Sequence, residues 1–102
     1  MDYNLKNTGD FSELILKTLT TPEDIKEWLS VSLEEYIEDG DISAFVRSLE
    51  YAVKAKDSIS GISKKTGISR SNLYSIFKGE VTPQLNTIAK ILKELGYTLK
   101  IA

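Results

Sequence analysis

The stretch ISGISKKTGISRSNLYSIF, residues 59–77, holds the side chains in this chain best suited to chemistry on a partner. Arg70 can donate two hydrogen bonds to guanine, and Asn72 can pair with adenine through both groups of its amide. Ser69, Ser71 and Ser75 place short hydroxyls beside them. Lys64, Lys65 and Lys78 are suited to phosphates, which give affinity with little sequence information. A helix beginning near Ser69 would also offer free N–H groups to a phosphate. The chemistry implied is recognition of double-stranded DNA, with one short helix entering the major groove by its N-terminal end.

Such a helix must be held by a second one across a tight turn. Gly67 stands where that turn needs an unhindered backbone with positive φ. Ile62, Ile68, Leu73 and Ile76 are spaced to meet inside the corner. Ser63 is small where a bulky residue would push the helices apart, and Ser69 is a good cap for the second helix. Leu73, Ile76 and Phe77 then face inward. Arg70, Ser71, Asn72, Ser75 and Lys78 stay outside, with Tyr74 near the edge. The plainer reading is an ordinary helical corner with a solvated basic face.

The rest of the chain reads as helical support. Thr21-Pro22-Glu23-Asp24 is a strong helix start, with a cap, a proline at the first position and carboxylates at the positive dipole end. Ile25, Trp28, Leu29, Leu33, Tyr36 and Ile37 form its apolar stripe, and Gly40 ends it. Trp28 and Tyr36 are read as core, or as partner anchors if exposed. Asp41 caps a second helix whose buried face is Ile42, Phe45, Val46, Leu49, Ala52 and Val53. It should stop near Lys56-Asp57. Short helices are expected at about 60–66 and 70–78. A last one begins near Pro83-Gln84, with the stripe Leu85, Ile88, Ala89, Ile91, Leu92 and Leu95, and ends at Gly96. Tyr97–Ile101 alternates as a strand does, and could pair with residues 13–17 or with a second chain. Residues 11–19 fit both a helical period and a strand alternation. Residues 1–10 are polar and expected to fray.

Composition sets the outer limits. The chain has 102 residues, no His and no Cys. That leaves no disulfide scaffold, no imidazole or thiolate metal site and no histidine-dependent triad. Residues 1–50 carry 4 basic and 12 acidic side chains, net −8, whereas residues 51–102 carry 9 basic and 3 acidic, net +6. This split suggests two partners, a polyanion for one half and a basic protein for the other, or halves that attract each other within the fold. Glu34-Glu35 and Glu38-Asp39 point in different directions on a helix, so they are read as solvated and not as a catalytic pair or metal cage. No catalytic residue, cofactor or metal is expected. No apolar run is long enough to span a membrane, and MDYNLKNTGD shows no secretory pattern, so a cytoplasmic protein is expected.

Residues 59–95 resemble the Cro/lambda-repressor-type helix-turn-helix domain. The larger span 11–101 resembles the addiction-module antidote family, the HigA-like antitoxins that accompany RelE/ParE-type toxins. The likeness is carried by TPEDIKEWL at 21–29, TGISRSNLYSIF at 66–77 and NTIAKILKELGYTLKI at 86–101. Pro83 and Thr87 fit the family's Pro-then-Thr entry to the last helix. GEVTP at 79–83 departs from the Gly-Asn-Pro of many relatives, and residues 11–20 are longer than the usual entry. The resemblance implies a protein that binds a basic RelE/ParE-type toxin and represses its own operon.

The expected fold is mainly all-α, about five helices including a helix-turn-helix, with a short C-terminal strand. One domain is expected over 1–102. Within it, 1–20 is an N-terminal segment that can be flexible, 21–56 an acidic helical pair and 57–102 the DNA-binding region. A homodimer is expected, since one recognition helix reads only a half-site. A free-standing transcriptional regulator with no toxin also fits, as does a protein-interaction module whose helical corner has lost DNA binding. The residues that would meet a toxin are not named by the sequence.

Overall fold

Local capping chemistry lays out the helices. In the computed structural model, which describes residues 8–100, Thr21 accepts from the Asp24 amide at 3.1 Å while the Asp24 carboxylate accepts from the Thr21 amide at 3.3 Å. This reciprocal box starts α2 (Pro22–Asp39). Hydrogen bonding to Thr21, and to Thr20 beside it, holds the Asp24 carboxyl below the usual carboxylate range. Gly40 closes α2 at φ 74°, and Asp41 caps α3 (Ile42–Lys56) by accepting from the Ser43 amide at 3.0 Å. The order is completed by α1 (Thr8–Thr18) before them and by α4 (Ile59–Thr66), α5 (Arg70–Phe77) and α6 (Leu85–Leu95) after them.

With only Gly40 and Asp41 between them, α2 and α3 return antiparallel. Trp28 donates from Nε1 to the Ser48 carbonyl at 2.9 Å, the Ser32 and Ser48 hydroxyls are 2.6 Å apart, and the Tyr36 and Phe45 rings lie 6.3 Å apart. Pairing partners fall in number on one helix as they rise on the other. Helix α3 is the hub, packing on α1, α2, α4 and α5, while α6 closes against α4. Leu49, Val53, Ile62, Leu73, Ile91 and Leu95 are fully buried at the junction. Trp28 and Tyr36 are half-buried against this core, and Trp28 meets Tyr51 edge-on at 6.1 Å.

The structure corrects the expected helix count, the C-terminal strand and its pairing with residues 13–17. Among the described residues there are six helices and no strand. Residues 13–17 lie within α1, where Ser12 bonds the Tyr51 hydroxyl at 3.1 Å and Ile15 packs on the core. They are therefore not available to pair with the tail. The expected C-terminal strand is irregular backbone over 97–100. Tyr97 is held there by other bonds: its amide donates to the Leu92 carbonyl at 2.9 Å, its hydroxyl donates to the Pro22 carbonyl at 2.8 Å, and Lys56 Nζ lies 4.9 Å above its ring. Burial pushes the Tyr97 phenol up, with Glu23 adding to it. Ile101 and residues 1–7 lie outside the described residues; of the stretch expected to fray, residues 8–10 belong to α1.

Two of the expected apolar stripes are narrower in the structure. Ile37 is 74% exposed and Leu85 70%, and Ala89 is exposed too. Ile37 lies a third of a turn round α2 from Tyr36, toward Lys26 and Ser30 and away from α3. Leu85 and Ala89 sit on one side of the Ile88, Ile91, Leu92 and Leu95 stripe that α6 buries. No helix among the described residues is long and apolar enough to cross a membrane.

Candidate functional site

The corner between α4 and α5 is built by short polar side chains closing on nearby backbone. Ser58 caps α4 by accepting from the Gly61 amide at 3.0 Å, and the Asp57 carboxylate accepts from the Ser58 amide at 2.8 Å. At the far end Gly67 turns the chain at φ 80°, and its amide reaches the Ser63 carbonyl at 2.9 Å. The Ser63 hydroxyl then donates to the Ile68 carbonyl at 2.6 Å. Thr66 donates to the Ile62 carbonyl at 2.7 Å and accepts from the Ile68 amide at 3.2 Å. The three-residue link 67–69 is thus tied to α4 through both backbone polar groups of Ile68.

Ser69 caps α5, its oxygen accepting from the Asn72 amide at 3.1 Å. Beneath, Leu73, Ile76 and Phe77 are buried with Ile62, and Ile68 is half-buried beside them. Three apolar residues at i, i+3 and i+4 fix the rotation of α5 about its axis. That rotation decides what faces solvent.

Ser69, Arg70, Ser71 and Asn72 are all exposed on the first turn of α5 or its cap. Ser71, Ser75 and Lys78 follow at i, i+4 and i+7 and form the crest opposite the buried stripe. Ser75 is half-buried and Lys78 exposed. Arg70 and Asn72 flank this crest on its two sides. Arg70 leans toward α4, where Nη1 donates to Ser60 Oγ at 3.2 Å.

The α4 lysines differ from each other. Lys64 is exposed on the last turn. Lys65 Nζ lies 2.7 Å from the Asp57 carboxylate, so part of its charge is spent within the fold. The hydrogen bond from Lys65 holds the Asp57 carboxyl down, and the same contact raises Lys65. A Cβ at Gly61 would overlap this carboxylate, so glycine makes the space in which Asp57 lies over the start of α4.

Sequence reasoning missed Ser58, although a Ser before Ile59 satisfies the capping rule. It also missed Ser60, Asp57 and Lys56. Lys56 donates to the Leu95 carbonyl at 2.6 Å and so caps the end of α6 from α3. No local pattern signals a contact across 39 positions.

An uncharacterized protein of Haemophilus influenzae is 26% identical over 87 residues, covering 85% of this chain and 84% of that protein. No solved structure matches. A family model described as probable addiction module antidote protein matches residues 10–102, a span that takes in nearly all of α1, the acidic pair α2–α3, and the corner with its closing helix. The chain therefore belongs to the family of probable addiction module antidote proteins.

Proposed function

We propose that this protein is the antitoxin of a type II toxin–antitoxin module. It binds a basic RelE/ParE-type toxin and represses its own operon in the cytoplasm, with α4 and α5 acting as a helix-turn-helix. The observation that carries the DNA side is the first turn of α5. Its Ser69–Asn72 face is free of the core and firmly set in rotation by Leu73, Ile76 and Phe77 behind it.

In this reading the first turn of α5 enters the major groove. Arg70 reads guanine, Asn72 reads adenine, and Ser69, Ser71 and Ser75 contact the groove walls or phosphates. Lys64 and Lys78 neutralise backbone charge. Lys65 contributes less than its position suggests, because Asp57 competes for it. A homodimer places two α5 helices on a two-fold operator. The family supports a toxin as the second partner, and the acidic half, net −8, suits a basic one.

The test is a pair of cell assays. Inducing the adjacent reading frame should arrest growth, and co-inducing this chain should restore it. A reporter behind the chain's own upstream region should be silenced by the same induction. Silencing without any growth rescue would indicate a regulator with no toxin. Rescue without silencing would remove the DNA-binding role.

A further inference from the structure

Two grooves flank α2, and they differ in charge. One, about 410 Å³, has a floor of Leu29, Leu33, Phe45 and Leu92, and its charged lining residues are Lys26 and Lys100. The other, about 500 Å³, lies where the end of α1 and the start of α2 meet α3. Its apolar surface is Leu19, Trp28 and Val31, and every charged side chain lining it is a carboxylate: Asp24, Glu27 and Glu35.

Helical spacing produces this division. Glu27, Val31 and Glu35 follow at i, i+4 and i+8, which sets an apolar side chain between two carboxylates along one ridge. Lys26 falls on the opposite flank. Val31 is 45% exposed in the middle of that ridge. Glu27 and Glu35 make no salt bridge among the described residues. The groove's wall is already set. Trp28 is fixed by its bond to the Ser48 carbonyl at 2.9 Å and by the Tyr51 edge, and the Ser32–Ser48 bond at 2.6 Å braces the α2–α3 seam.

We infer that this second groove is the docking surface for the basic partner protein. A segment of that partner lays an apolar side chain against Val31 and Trp28, and its Lys or Arg residues meet Glu27 on one side and Glu35 on the other. This rests on the antitoxin reading, in which the partner is the toxin. Charge complementarity selects between the grooves, since Lys26 and Lys100 would repel the same segment. The groove alone is smaller than the roughly 800 Å² per partner of a stable interface. Glu34 and Glu38, exposed one step round α2, extend the acidic surface beyond it.

The experiment measures the affinity of the full chain for the purified product of the adjacent reading frame by titration calorimetry, at low and raised salt. Wild type should bind, and more weakly as salt rises. Glu27→Lys with Glu35→Lys should weaken binding by about 100-fold and flatten the salt dependence. Val31→Ser should weaken it by about tenfold at both salts. Lys26→Glu should leave binding within about twofold, since a rim charge on the far flank makes no contact. Each variant should keep the wild-type melting temperature and operator binding, which confirms that it folds. If wild type binds and the double reversal binds equally well, the groove is wrong and the antitoxin reading stands. A Lys26→Glu loss larger than that of the double reversal moves the site to the other flank and overturns the proposal. If wild type does not bind the product at all, both readings fall.

Discussion

Replacing Gly67 isolates the backbone geometry of the corner. Gly67 adopts φ 80° and ψ 1°, and no heavy atom outside its immediate neighbours lies within 4 Å of where a Cβ would stand. Gly67→Ala therefore creates no clash, and its cost is conformational. A left-handed residue with a Cβ costs roughly 1–2 kcal/mol. The smaller freedom of alanine in the unfolded chain offsets roughly 0.4–1 kcal/mol of that. The net expectation is a loss of about 1 kcal/mol, or about 4–8 °C in melting temperature for a domain of this size. Gly67→Asn should cost about half as much, because asparagine tolerates this region. Urea denaturation followed by circular dichroism reads both values. An alanine variant as stable as wild type, or an asparagine variant less stable than the alanine one, would show that the left-handed backbone at Gly67 does not set the cost.

Three further outcomes follow from particular contacts. Leu73→Ala, at a fully buried position, should destabilise by about 2–5 kcal/mol in the same assay; a loss below about 1 kcal/mol would mean that α5 is not anchored there. Trp28→Phe removes the indole donor to the Ser48 carbonyl and should cost about 1 kcal/mol, visible as a lower urea midpoint. The Asp57–Lys65 pair gives stability a pH signature. Asp57 is held down in the folded state, so its contribution is present above the ordinary carboxylate range and lost as pH falls through the folded value. Lys65 is raised, so its contribution is present below the ordinary lysine range and lost as pH rises through the folded value. Asp57→Asn should flatten both slopes in urea midpoints measured against pH, and unchanged slopes would contradict the pairing.

Much of the fold is legible in short-range chemistry. Thr21-Pro22 announces α2, Gly40 and Asp41 divide α2 from α3, and Gly67 with Ser69 marks the corner, because each acts on its own backbone within four residues. The inward set Leu73, Ile76 and Phe77 follows from period alone. What was not legible depends on distant partners. Residues 11–19 carry a pattern that serves helix and strand equally, and packing of Ile15 and Ser12 on α3 decides it. The tail alternates like a strand, yet Tyr97 is claimed by Lys56 and the Pro22 carbonyl, 75 positions away. Ile37 looks like core because it continues the stripe of Leu33 and Tyr36, but among the described residues no helix covers its side of α2. Within the candidate site, exposure of Arg70 and Asn72 could be read from the helical period. The diversion of Lys65 to Asp57 and the reach of Arg70 to Ser60 could not, since each joins residues eight or ten apart through a turn.

The part of the chain proposed to read a duplex is the first turn of α5, with Arg70 on one flank and Asn72 on the other. Fluorescence anisotropy of labelled DNA from the chain's own upstream region tests this proposal most directly, with wild type and Arg70→Ala titrated across a range of salt. Log affinity should fall linearly with log salt, and Arg70→Ala should bind more weakly by about 1–3 kcal/mol while discrimination relaxes at one base pair. Affinity that ignores salt, or an Arg70→Ala variant that binds as well as wild type, would contradict it.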